Sequence, residues 1–182
     1  MYAIQEDPKI ELIQGREIAM SPASIKHILI QRNLSGILWQ FLRGKKCQVL
    51  TEAEVIFDED NHFIPDLIVV CDPDKIKKNN IDGAPDFIVE VLSPSTHRRD
   101  ITIKKDIYEK YGVKEYWIIS PKDEAIEVYI LRNGKYELDN IYHHFDEEDW
   151  AALSKSEKAE QQLSLKISLY DDLEIQVKEI FE

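Results

Sequence analysis

Two carboxylates stand where apolar side chains belong. Asp66 lies in Phe63-Ile64-Pro65-Asp66-Leu67-Ile68-Val69-Val70, and Glu90 in Pro85-Asp86-Phe87-Ile88-Val89-Glu90-Val91-Leu92. β-Branched and aliphatic residues fill both alternating sets of positions in each run, which predicts strands buried on both faces. An unpaired charge in such a strand is costly, so each acid needs a proton, hydrogen-bond donors, a cation or a metal. Two such acids on neighbouring strands suggest a divalent-metal site.

The 182 residues suffice for one domain with a sizeable core, and the expectation is a single domain over 1–182 with a polar, acidic excursion at about 146–162. Hydrophobic residues make up 43% and charged residues 32%, which fits an ordered protein. No apolar run reaches the roughly 20 residues that span a bilayer, and Met1 to Asp7 lacks the basic and apolar regions of a signal peptide. The expected location is cytoplasmic, with no membrane partner. Cys47 and Cys71 lack metal-ligand spacing and are expected as two reduced, mostly buried thiols.

The net charge of -12 argues against a general nucleic-acid-binding surface, whose affinity comes mainly from basic groups. The acidity is uneven, however, because residues 143–182 carry 11 acids against 4 Lys. Lys75, Lys77, Lys78, His97, Arg98, Arg99, Lys104, Lys105, Lys110 and Lys114 lie in the less acidic part. They form either a local positive rim or a solvated charged face.

Gln14-Gly15 between Lys9–Ile13 and Arg16–Met20 predicts a hairpin. Apolar residues from Ile25 to Leu42 repeat with helical spacing after Ser21-Pro22-Ala23-Ser24 and stop at Gly44. Strands are expected at 48–57, 63–70, 87–92, 115–120, 125–131 and 135–142, with Asn133-Gly134 as a tight turn, and a final strand at 173–181. A polar loop should occupy 72–83, and a helix should run from about Asp100 to Tyr111, ending at Gly112.

Asp86 competes with Asp66 for a place beside Glu90. Asp86 precedes Glu90 by four residues on one strand, about 13 Å at about 3.3 Å per residue, too far to share one ion. Asp66 comes from another strand, whose register can bring it alongside, so Asp66 is preferred and Asp86 is read as a hydrogen-bonded strand-entry residue. Lys104 falls within about 15° of the centre of the apolar stripe formed by Ile101, Ile103, Ile107, Tyr108 and Tyr111, whereas Lys105 points away. A lysine so placed either snorkels to solvent or meets an acidic partner, and the anomalies at Asp66 and Glu90 favour the partner. Two carboxylates offer hard oxygen ligands to Mg²⁺ or Mn²⁺, the backbone carbonyl of Val91 can add another, and an ammonium can stabilise charge growing on phosphoryl oxygens. That combination suits phosphodiester hydrolysis.

Residues Ile64–Val70, then Pro85 to Thr96, then Asp100, Lys104, Tyr108 and Gly112-Val113-Lys114-Glu115-Tyr116-Trp117 resemble the Uma-two family of restriction-endonuclease-like proteins. The likeness also takes in Glu11-Leu12-Ile13 with Gly15, Met20-Ser21-Pro22 and His27, and more loosely 173–181. It implies a PD-(D/E)XK nuclease fold of mixed α/β class, a central mixed sheet flanked by helices, with Mg²⁺ dependence and a homodimer. Asp66 and Glu90 would match the two acids of that pattern. The lysine expected two residues after the second acid is Leu92 here, and the resemblance implies that it has moved to Lys104.

The leading expectation is thus a metal-dependent endonuclease acting on DNA, with Asp66, Glu90 and Lys104 as catalytic residues and Asp66, Glu90 and the Val91 carbonyl as metal ligands. His27, Gln31, Ser93, Ser95 and Asp100 are candidate accessory residues. Ser93 to Thr96 and Asp100 are also explained by strand exit and helix capping, and Tyr108, Tyr116 and Trp117 by core packing. Two alternatives stand beside the leading one: a non-catalytic binding or regulatory protein that keeps the fold, with Lys104 in a buried ion network, and a metal-dependent hydrolase of a smaller phosphate ester.

Overall fold

The runs that carry the two acids need cover on both faces, and the fold supplies it. A computed structural model describes residues 8–94 and 96–182. A hairpin of β1 (Ile10–Ile13) and β2 (Arg16–Ala19) leads into helix α1 (Ile25–Leu42). Strands β3 (Gln48–Thr51), β4 (Glu54–Asp58), β5 (Asn61–Phe63), β6 (Leu67–Val70), β7 (Asn80–Asp82) and β8 (Phe87–Val91) follow. A helical stretch then runs through α2 (His97–Arg99), a π turn (Asp100–Lys104) and α3 (Lys105–Tyr111). Strands β9 (Glu115–Ser120), β10 (Ala125–Arg132) and β11 (Lys135–His143) complete the main sheet. The chain closes with α4 (Glu147–Ala152), α5 (Lys155–Glu160), β12 (Ser164–Lys166), β13 (Glu174–Gln176) and α6 (Val177–Phe181).

Six strands form a mixed sheet in the order β11-β10-β9-β8-β6-β3, in which only β8 and β9 are parallel. One face carries Leu67, Val69, Phe87, Val89, Trp117 and Ile119 and packs on Ile30, Leu34 and Leu38 of α1, on α6 and on the β12–β13 pair. The opposite face carries Ile68, Val70, Ile88, Tyr116 and Ile118 and packs on Val55, Phe63, Ile107 and Tyr108. Those residues belong to the five-stranded sheet β2-β1-β5-β4-β7 and to α3. Both faces of the central strands are therefore dry, which is why their sequences show no polar alternation. Among the described residues no helix is long and apolar enough to cross a membrane.

Several boundaries differ from expectation, each for a local reason. The run 48–57 is two strands in two sheets, because Glu52 takes a positive φ of 52° and the chain changes layer there. The run 63–70 also divides. Pro65 has no N–H to give a ladder, so β5 stays in the smaller sheet, β6 starts the larger one, and Asp66 sits at the corner. The 173–181 segment is a short strand followed by a helix, and the polar loop 72–83 contains a 3₁₀ turn (Pro73–Lys75) and β7. The helical stretch begins at His97, with Thr96 in the N-cap position, so Asp100 does not cap its start. Its π turn advances less than 100° per residue, which leaves Ile101 38% exposed while Lys104 is buried.

Cys47 and Cys71 are corrected from free thiols to a disulfide. Their separation of 24 residues carries no pairing signal, but the antiparallel register Gln48↔Val70 sets the two positions opposite each other.

Candidate active site

Register brings the acids together. In the β6–β8 pair Leu67 faces Val89, so Asp66 falls opposite Glu90 one step further along. Asp66 Oδ2 accepts a 2.7 Å hydrogen bond from the Val91 amide, which ties the corner to the end of β8. Its Oδ1 meets His27 Nε2 at 2.8 Å. His27 lies in the first turn of α1, where its amide donates to the Ser24 hydroxyl that caps the helix. One turn later the Gln31 side chain donates to the Asp66 carbonyl at 2.7 Å. Burial works to lower the His27 pKa, but the bond to Asp66 together with the negative charges of Asp66, Glu52 and Asp100 holds it above the ordinary histidine value.

Glu90 points to the face that carries Tyr108. Its Oε1 accepts from Lys104 Nζ at 3.0 Å and from Tyr108 Oη at 2.7 Å. Lys104 Nζ also reaches Glu11 Oε1 at 2.8 Å and Asp100 Oδ1 at 3.6 Å. The π turn aims Asp100 and Lys104 inward together, and both are about 1% exposed. Burial disfavours the charge on Lys104, yet Glu90, Glu11 and Asp100 together hold its proton well above the usual lysine range. Burial likewise pushes Glu90 well above the usual carboxylate range, opposed by Lys104 and reinforced by Asp100, Asp66 and Glu11. Asp100 is raised for the same first reason. Four carboxylates thus surround one ammonium and one imidazole. Glu11 Oε2, Asp100 Oδ1 and His27 Nδ1 are buried without a hydrogen-bond partner.

His27, Asp66, Glu90, Val91, Ser93 and Lys104 line a cleft of about 460 Å³, with Glu11 and Asp100 behind its wall. A groove of about 590 Å³ lies elsewhere, lined by His143, Trp150 and Leu163 among others. The smaller cleft is the one onto which the buried charges open, so chemistry takes precedence over size. Of the residues singled out in the sequence, His27 and Gln31 bond Asp66, while Glu90 and Asp100 meet Lys104, and the Val91 amide, next to Glu90, ties the two groups together at Asp66. Ser93 pairs with Thr96 in the turn after β8, with their hydroxyls 3.0 Å apart. Ser95 lies outside the described residues. Asp86 stands apart, accepting from the Cys71 amide at 2.8 Å and from Lys114 at 2.7 Å.

Glu11, part of the family likeness in the sequence, was given no role in the site there. Its Oε1 holds both Lys104 and the Ile64 amide, at 2.9 Å from the latter, and so links the small sheet to the corner that carries Asp66. The available signal was its place two residues before Ile13 in a strand, which put it on the inward face. Tyr108, expected only as core, is core and a donor to Glu90 as well.

Fold and site together define a restriction-endonuclease-like α/β protein with paired acids and a lysine on one cleft. A crystal structure described as that of a "putative nuclease" from Anabaena variabilis matches with a TM-score of 0.72 and 21% identity, covering 96% of this chain and 90% of that one. Residues 1–176 match the Uma2 family, described as "Putative restriction endonuclease", and the chain belongs to that family. It is also similar to two proteins of Synechocystis. "Uncharacterized protein slr1290" is 29% identical over 87% of this chain and 77% of its own length. "Uncharacterized protein sll1609" is 27% identical over 69% and 73% respectively.

Proposed function

We propose that the protein is a metal-dependent endonuclease that hydrolyses DNA phosphodiester bonds. The observation that carries this reading is the meeting on one cleft of Asp66 from the β5–β6 corner, Glu90 from β8 and Lys104 from the π turn. Among the described residues no set of three or more His, Cys, Asp or Glu is arranged to hold a metal ion by itself. Mg²⁺ does not need such a cage, since it keeps several waters and commonly takes one or two carboxylates together with substrate phosphate. Asp66 and Glu90 fit that role, with the Val91 carbonyl as a further donor. The surplus of buried negative charge around Lys104 also suits a cation. When bound, Mg²⁺ or Mn²⁺ would polarise the phosphodiester and make a water more acidic.

The chain's own groups divide the remaining work. Lys104 orients the attacking water and offsets charge developing on the phosphoryl oxygens, while Glu11 and Asp100 fix its ammonium. His27, Gln31 and the Val91 amide hold Asp66 in place. Ser93 lines the cleft at the exit of β8, where its hydroxyl can meet a phosphate.

Calorimetric titration of Mn²⁺ into wild type and the Asp66→Ala/Glu90→Ala double variant tests the reading, with both then incubated with plasmid and single-stranded DNA. Binding and metal-dependent cutting by wild type alone are expected. A second reading draws on the contacts of Lys104 with Glu11, Glu90 and Asp100, which also describe a structural ion network in a non-catalytic protein. That reading gains if wild type takes up no Mn²⁺ and cuts neither DNA.

A further inference from the structure

The two edges of the main sheet are built differently. Strand β11 carries Lys135, Glu137 and Asp139, and the β10–β11 ladder has a bulge. Charges and bulges are devices that keep an edge from pairing with another chain. Strand β3, Gln48-Val49-Leu50-Thr51, has neither charge, proline nor bulge. The Glu52 amide donates to the Asp66 carbonyl at 3.3 Å, and Gln48 and Leu50 face Val70 and Ile68. Antiparallel alternation then turns the N–H and C=O groups of Val49 and Thr51 outward, where no described residue bonds them.

Helix α1 borders this edge and adds shape. Trp39 is 59% exposed, with the Arg43 guanidinium 5.1 Å from its ring. Hollows of about 370 and 270 Å³ flank it, and Val49 lines both. Gly36 lines the second, and a Cβ there would meet no atom within 4 Å. Glycine within a helix is unfavourable relative to alanine, and neither packing within the chain nor a positive φ accounts for it here.

We propose that this edge is a two-fold interface with a second copy of the chain, in which β3 pairs antiparallel with β3 and Trp39 enters the hollow beside Gly36. A protrusion and a hollow next to each other on one surface are what an isologous contact requires. Charge selects the same arrangement. Lys46 precedes β3 and Glu52 follows it, so antiparallel pairing brings Lys46 of each copy to Glu52 of the other, in addition to that residue's exposed Lys9 partner. Parallel pairing would set like charges together. An edge strand of four residues offers few cross-strand hydrogen bonds, which points to a dissociation constant on the order of micromolar. The inference is independent of the nuclease reading, because association is measured without a substrate.

Sedimentation velocity of the full chain, from about 1 to 100 µM around that affinity, should show monomer giving way to dimer. Trp39→Glu and Gly36→Lys should each weaken association about tenfold or more. Leu138→Glu on the opposite edge should leave it unchanged. Gly36→Lys should keep the wild-type circular dichroism and melting temperature, since its side chain enters open space and the helix gains a better former. A wild type that stays monomeric throughout would overturn the proposal. So would a dimer that neither α1 variant weakens, or one lost only on Leu138→Glu.

Discussion

Glu90 and Glu115 are both almost fully buried on central strands of one sheet, yet they are held in opposite ways. Glu115 faces the α1–α6 side, where its two oxygens accept from the Trp117 indole N–H and the Ser168 amide, each at 2.6 Å. It staples β9 to the segment after β12 with neutral donors and lines none of the clefts described above. Glu90 faces the other side, is matched by an ammonium and a phenol, shares its surroundings with three more acids, and opens on a cleft. Burial raises the pKa of both. Burial of an acid therefore does not mark a site by itself. The kind of neutralising partner and the access to solvent make the difference.

Removing each charge in turn separates the two roles. Glu90→Gln should lower metal-dependent cleavage by roughly 10²-fold or more, the scale of losing one transition-state contact. Glu115→Gln should leave the rate per folded molecule unchanged, and equal losses in a plasmid-cutting assay would erase the distinction. Lys104→Met should cost about 3–5 kcal/mol at neutral pH in urea unfolding, because it strands Glu11, Glu90 and Asp100 without their cation. That deficit should shrink on acidification, as the carboxyls take up protons and their repulsion fades. A variant as stable as wild type at neutral pH would mean that these acids are already protonated.

Glu115→Gln should cost about 1–3 kcal/mol, since an amide offers one acceptor to two buried N–H donors. The smallest effect concerns pH. The folded Glu115 carboxyl has its pKa raised above the unfolded value, chiefly by burial, so its stability contribution is complete below the unfolded pKa and is lost as pH rises through the folded one. The advantage of wild type over Glu115→Gln should therefore narrow from acidic toward neutral pH in parallel unfolding curves. A gap that widens would mean the two N–H bonds outweigh desolvation.

Much of this architecture is visible in local pattern. The hairpin at Gln14-Gly15, the stripe of α1, the exact span of β9 and the turn at Asn133-Gly134 each depend on residues a few positions apart. The inward aim of Lys104 was legible from helical periodicity even though the π turn shifts Ile101 outward. Asp66 and Glu90 announced themselves as charges in apolar runs. The breaks at Glu52 and at Pro65-Asp66 were less legible, because a strand that changes sheets keeps the same apolar composition on both sides of the corner.

Apolar runs interrupted by Asp66 and Glu90, and a lysine in the apolar stripe of the next helix, already require two buried acids, a lysine turned toward them and some means of neutralising the group. No local pattern requires that Glu11 and Asp100 share that lysine, that His27 rather than solvent meets Asp66, or that Cys47 joins Cys71. These outcomes depend on the register and layering of segments far apart in the chain. Local propensity limits each segment to a strand or a helix, but which side chains meet is settled when whole sheets pack.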